Sequence, residues 1–476
     1  MTAVADPGRT PPPVSAQAPF LWGFRLIPRL ETYPEVVSFA QTIIGKLTLL
    51  GIFGIWLRYW GWHWKFMIVF LAVATALPQY RRIVLTIGTL LWALGLWWRW
   101  TDHPLLLQAA IVLILAALLF WAATRFRHSW FGRRPVASLL TGFALSVLLA
   151  SYLPKGGHLR TASWDLLAVA GAYLWFIAYS LLDSGSKSRD PFAMQVGTYH
   201  PVWGLANTPI PKGAAYFRRI EAHNPEQLAV VQLKGLKLLA WSLILALFLN
   251  KAFVPIVRGY LGIPVYSQLF ELSVHRASFP WYVGWASLIA HFLEDLLSFS
   301  ILGHQRIAMC RMAGFLALRN TYRPLESRSI AEFWNRYYYY FKEVLVDCFF
   351  YPTFMRYFKR HRRLRLFAAT FAAACFGNAF FHFFGHLNTI EEIGFWKALA
   401  GFHPYIFYTV VLALGIGISQ LRERRVETTR WIRGRLWPAL CVTGFYCILT
   451  VFDLHYKPYP IQECFRFLAH LFNLTF

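Results

Sequence analysis

Eleven stretches of this chain are apolar over enough residues to cross a bilayer, lying near 37–58, 63–79, 83–98, 104–124, 136–153, 163–183, 235–256, 281–302, 365–386, 403–420 and 436–455. A span needs about 20 mostly apolar residues. In lipid every backbone N–H and C=O must find an internal partner, and an α-helix supplies one within a single segment. The pattern therefore predicts an all-α polytopic membrane protein of roughly eleven transmembrane helices. Composition agrees. Apolar residues make up 57% of the 476, against 14% charged, which is more apolar surface than a water-soluble globule can bury. Its 21 Trp and 42 Phe suit a body with many side chains at two membrane interfaces. A secreted domain, a disordered chain and a soluble enzyme are excluded.

Lys and Arg number 47 against 22 Asp and Glu, giving a formal charge of +25. In a membrane protein such an excess belongs in cytoplasmic loops facing anionic headgroups, so no nucleic-acid partner is expected. Arg81–Arg82, the Arg125–Arg134 stretch, Lys359–Arg365 and the Arg422–Arg435 stretch all fall on one side if the N-terminus starts inside. That alternation predicts a cytoplasmic N-terminus and an external C-terminus, in what reads as a bacterial inner membrane. Residues 1–35, with Pro11 to Pro13 and no charged-then-apolar leader, read as a largely disordered cytoplasmic tail. Residues 36–302 form an N-terminal set of membrane helices, interrupted by a polar, Gly- and Pro-rich inner loop over 184–227 that carries Lys187, Arg189, Arg218 and Arg219. Residues 303–476 form a second unit. Its 303–364 segment starts and ends inside, with apolar runs at 307–318 and 344–358 too short to span, so it is expected to be re-entrant or interfacial and to line a cavity. The cysteines Cys310, Cys348, Cys375, Cys441, Cys447 and Cys464 form no CxxC pair, so neither a zinc site nor a disulfide framework is indicated.

Polar side chains inside spans are costly and each is a candidate site. The 281–302 run holds His291, Glu294 and Asp295; His291 and Asp295 are one helical turn apart, where a carboxylate can orient an imidazole. That pair suits either a packing role or a proton relay. The 365–386 run holds Asn378, His382 and His386 at four-residue spacing, which places all three on one helix face. His382 lies 17 residues beyond Arg365, about 26 Å along a helix, in the outer part of the membrane. The two histidines lack an HExxH context and a third ligand, so no metal is assigned.

From Pro324 the chain reads Pro-Leu-Glu-Ser-Arg-Ser-Ile-Ala-Glu-Phe-Trp-Asn-Arg-Tyr-Tyr, to Tyr338. This resembles the signature of the membrane-bound O-acyltransferase family, particularly bacterial members that acylate extracellular polymers. Ser327, Ser329, Ile330, Glu332, Phe333, Trp334 and Arg336 match, and Asp347 and Pro352 match the family's downstream Asp and Pro. Phe380-Phe381-His382 stands where the family's nearly invariant His follows on a membrane helix. The chain departs from the pattern at Tyr338, where bacterial members carry His and the eukaryotic branch Asn, and at Tyr337, where they carry Trp. The motif covers about one-eighth of the chain.

The resemblance implies membrane and interfacial helices enclosing a tunnel, within which an acyl group passes from a thioester to a hydroxyl. It implies His382 as general base, with Asn378 and Tyr338 as hydrogen-bonding neighbours, and no cofactor beyond the thioester co-substrate on coenzyme A or an acyl carrier protein. Ser327, Ser329, Glu332, Trp334, Arg336 and Asp347 would build the tunnel wall, with His291 and Asp295 near it. The acceptor would be a polysaccharide, a lipid or a small-molecule hydroxyl, reached from the outer side, so that transfer crosses the membrane. Two other readings stand beside this one. A non-catalytic relative of the same fold, a lipid-binding or assembly subunit, would accommodate Tyr338. A proton-coupled transporter or flippase would use His291, Glu294 and Asp295.

Overall fold

The structure is a computed structural model and describes residues 26–61, 63–99, 105–185, 190–204, 210–421, 432–453 and 459–474. Among these residues the chain is helical, with a single isolated bridge between Glu221 and Phe315. Its helices begin with α1 (Pro34–Gln41), α2 (Ile43–Tyr59), α3 (Trp64–Ala76), α4 (Arg81–Arg99) and α5 (Leu105–Arg125). There follow α6 (Pro135–Ser151), α7 (His158–Ser184), α8 (Pro225–Leu247) and α9 (Trp281–Met312). The remainder comprises α10 (Ile330–Tyr337), α11 (Tyr339–Leu345), α12 (Arg362–Phe371), α13 (Asn378–Gly385), α14 (His403–Leu421), α15 (Trp437–Leu449) and α16 (Ile461–Leu471), with shorter turns between. Seven of the described helices are long and apolar enough to cross a membrane, or nine if each of two bent pairs counts as one span.

That number differs from the eleven apolar runs, for reasons of length and backbone. The runs 63–79 and 83–98 fold as a pair bent by 110°. At 1.5 Å per residue the 13 residues of α3 reach about 20 Å, short of a hydrocarbon core of about 30 Å. The run 37–58 is likewise broken, by 88°, at Thr42, whose extended backbone ends α1 while its hydroxyl accepts from Gly45 N and starts α2. The run 136–153 becomes α6, only 17 residues long.

Three other expectations are corrected. The boundary at 302/303 falls inside α9, which runs unbroken for 32 residues; the apolar stretch at 307–318 is largely its buried end, not a separate re-entrant element. The helix stops only at Gly314, whose φ of +92° suits glycine, and whose missing Cβ leaves room for the Arg81 guanidinium. The described part of the 184–227 segment folds into the body of the protein. Trp203 and Val202 are fully buried there, with Trp203 stacked on Phe217 at 3.8 Å between ring centroids. The tail does not extend to residue 35, since Leu30 packs on the main core and α1 begins at Pro34; residues 1–25 lie outside the described residues. Lys187, Arg189 and the 422–431 part of the last basic stretch also lie outside them.

Arg81 and Arg82 are engaged within the protein. Arg81 is fully buried, donating to Ala222 O at 2.9 Å and to Glu221, while Arg82 pairs with Asp190 and Glu221. Their charges hold the 184–227 segment onto the start of α4.

Candidate functional site

Two segments distant in sequence meet at one ring, Phe341. On one side are α10 and its sequel: Trp334 lies 5.4 Å and Tyr338 5.4 Å from Phe341 between ring centroids. On the other is α13, with His382 at 5.7 Å and Phe381 at 4.6 Å. The family-like segment and the histidine helix thus share a wall.

How α10 reaches that wall follows from its own sequence. The Ser329 hydroxyl accepts from Glu332 N at 3.1 Å as N-cap, and Glu332 reaches back to accept from Arg328 N at 2.8 Å. This is close to a capping box, with the carboxylate one residue further back. Arg336 then pairs with Glu332 one turn on, at 2.9 Å. The end of α10 is clamped by the preceding loop: Thr321 donates to Tyr337 O, and Tyr339 N and Tyr340 N donate to the carbonyl and side chain of Asn320. Ser329, Glu332 and Arg336 therefore serve one another locally. Ser327 is buried, and its hydroxyl has no hydrogen-bond partner among the described residues.

The histidine helix is set by a different device. The six residues Ala372–Gly377 form a π-helical turn between α12 and α13, and it packs against a second π-turn, Val346–Phe350. Gly377 allows this approach; a Cβ there would lie 2.7 Å from Phe349. Such turns re-aim the side chains that follow. Asn378 and His382 share one face of α13, and His386 caps its end with non-helical backbone.

Tyr405, near the start of α14, completes the group. Its ring lies 4.9 Å from that of His382, and its hydroxyl donates to Asn378 Oδ1 at 3.2 Å. Asn378 is buried, and its Nδ2 has no partner among the described residues, leaving a donor unused beside His382 on the same helix face. Tyr405 stacks on Tyr408 at 4.9 Å, and Asp453 acts electrostatically on both. Nothing in the spacing of α14 marks Tyr405, which reads as one more aromatic of a membrane helix.

Tyr338 rests between Phe341 and Phe299, with Arg306 acting on its hydroxyl. Burial pushes its phenol above the ordinary tyrosine value, so at neutral pH it is a proton-bearing donor and no base.

The remaining predicted residues sit apart from this group. His291 Nε2 lies 3.5 Å from Asp295 Oδ2, and the imidazole stacks on Tyr266. The Asp295 side chain is half exposed midway along α9, and it acts on the Tyr337 hydroxyl. Glu294 is held by Arg258, with both carboxylate oxygens engaged at 2.8 and 2.9 Å. Asp347 belongs to a buried ionic knot, accepting from Tyr179 Oη at 2.6 Å and from Lys212 at 2.8 Å. Lys212 also reaches Glu343, and Lys342 pairs with Glu343. The knot ties the 184–227 segment to α11, a partnership that no sequence motif announced.

The sequence matches no family model and no curated protein.

Proposed function

We propose that the chain is a membrane-embedded O-acyltransferase that uses His382 as general base. The observation that carries this reading is the meeting of His382 with Tyr405, Asn378 and the Tyr338–Phe341 segment. An imidazole in an aromatic surround, with hydrogen-bonding groups around it, suits the removal of a proton from an attacking hydroxyl. The acceptor oxygen attacks the thioester carbonyl carbon as its proton passes to His382. The tetrahedral oxyanion takes hydrogen bonds from Asn378 Nδ2 and the Tyr338 hydroxyl. Collapse expels the thiolate, which recovers the proton from the imidazolium, leaving an ester and a free thiol. Tyr405 is a positioning residue, holding Asn378 and flanking the ring.

In this reading the thioester, on coenzyme A or a carrier protein, enters from the cytoplasm along the 303–358 segment. The acceptor, a polysaccharide, lipid or small-molecule hydroxyl, approaches from outside. The protein would lie in a bacterial inner membrane with its N-terminus inside and C-terminus outside. The test is incubation of the purified protein with a labelled acyl thioester and a panel of hydroxyl acceptors, with mass detection of the ester. Stoichiometric ester and thiol are expected; no product with any acceptor contradicts the proposal.

One observation favours a non-catalytic subunit of the same fold. Ser329, Glu332 and Arg336 satisfy one another, and Tyr338 stands where a base would serve. That subunit would bind lipid and produce no ester in the same assay. The relay of a transporter is less favoured, since Arg258 already engages Glu294.

A further inference from the structure

Two strongly basic segments lie at helix ends. Residues 125–134 join α5 to α6, and residues 356–365 lead into α12. Neither segment contains an Asp or Glu. They are 223 positions apart at their point of contact, where Arg356 Nη2 donates to the Arg133 carbonyl at 3.0 Å. That bond makes one surface of two loops. Arg365 is also used structurally: its guanidinium covers the Phe354 ring at 3.9 Å and donates to the Phe354 carbonyl. The side chains of Arg127, Arg133, Arg134, Lys359, Arg360 and Arg363 are exposed, and none pairs with a carboxylate among the described residues. Phe126, Trp130, Tyr357 and Phe358 are exposed among them.

We propose that segments 125–134 and 356–365 together form a binding surface for the headgroups of anionic phospholipids. The position favours this ligand. α5 and the helix Arg362–Gly385 are both long and apolar enough to span, so their ends lie at the level of the phosphates. Clustered cations immediately beside a span attract anionic headgroups, and exposed aromatic rings among them insert at the same level. Fusing two loops concentrates charge that a single positive-inside loop would spread. The surface also sits at the foot of the helix that bears His382 at its far end, so a bound lipid steadies that helix. The proposal rests on membrane embedding and not on acyl transfer.

Native mass spectrometry of the delipidated full-length protein in detergent tests it, titrating 1-palmitoyl-2-oleoyl phosphatidylglycerol against the phosphatidylcholine of the same chains. Wild type should retain the anionic lipid at least about fivefold more tightly, with the preference collapsing in 0.5 M NaCl. The variant R127Q/R133Q/R134Q and the variant K359Q/R360Q/R363Q should each lose the preference while keeping the wild-type melting temperature. A control neutralising distant exposed cations, R58Q/K65Q/K155Q, should keep it. Equal retention of the two lipids by wild type overturns the proposal without recourse to any variant. So does a preference that survives in both patch variants, or one that only the control removes.

Discussion

Tyr405 lies against the His382 ring and Tyr338 shares Phe341 with it, yet their surroundings assign them different work. Tyr338 has aromatic rings on two sides and Arg306 acting on its hydroxyl, whereas Tyr405 donates to Asn378. Tyr338→Phe should therefore lower kcat for acyl transfer about tenfold to a few hundredfold, by loss of one hydrogen bond to the developing oxyanion. Tyr405→Phe should show itself first in stability, by about 1 kcal/mol, because Asn378 loses its partner in a buried setting. Steady-state kinetics and thermal melts of the two variants separate these outcomes; equal turnover in Tyr338→Phe and wild type would leave Tyr338 as packing alone. His382 and Asn378 were visible in the sequence because polar groups are rare in an apolar run. Tyr405 was not, since an aromatic in such a run carries no polar contrast, and only the packing of α14 on α13 brings it to the imidazole.

Elements were legible where one local rule governs them. The start of α10 obeys such a rule, with Ser329 capping Glu332 N and Glu332 pairing with Arg336 one turn on. The Ala372–Gly377 and Val346–Phe350 turns were not legible, because a π-turn follows from the packing of one helix on another and leaves no period in sequence. The same holds for Lys212, which lies in a loop 131 and 135 residues from its partners. Burial alone would lower the Lys212 ammonium, but Asp347 and Glu343 outweigh it and hold it above its ordinary value. Burial alone would raise Glu343, but Lys342 and Lys212 outweigh it and hold it below the usual carboxylate range. The signs set a window. Stabilisation by Lys212 is complete below the free-lysine pKa of about 10.4 and is lost as pH rises through the higher folded value. Stabilisation by Glu343 is complete above the free-glutamate value of about 4.3 and is lost as pH falls through the lower folded value. Melting temperature should thus hold a plateau from about pH 5 to 10 and fall on both sides. Lys212→Met should remove about 3 kcal/mol at pH 7, by leaving the Glu343 and Asp347 carboxylates without their cation. A variant with the wild-type melting temperature at pH 7 would remove the knot from the forces that hold the fold.

At the scale of the whole molecule, apolar runs announced a helical, membrane-spanning architecture, and the bends within them decided which runs become full spans. A run of 17 residues reads as a span until Pro78 turns the chain by 110° just beyond α3. The proposed orientation places segments 125–134 and 356–365 inside, and the α13–α14 connection outside. With the native cysteines replaced, a cysteine at position 360 should react with an impermeant maleimide only from the cytoplasmic side, and one at position 397 only from outside. Reaction at position 360 in intact cells would reverse the orientation and close the cytoplasmic route to the thioester. The central claim is narrower than the topology. It is that an imidazole at position 382 takes the proton of the acceptor. Acyl transfer from a labelled thioester by purified wild type, His382→Ala and His386→Ala, each checked for an unchanged melting temperature, tests it most directly. The account predicts a loss of about 10²- to 10⁴-fold in His382→Ala and near wild-type transfer in His386→Ala. Full activity in His382→Ala, or loss confined to His386→Ala, would contradict it.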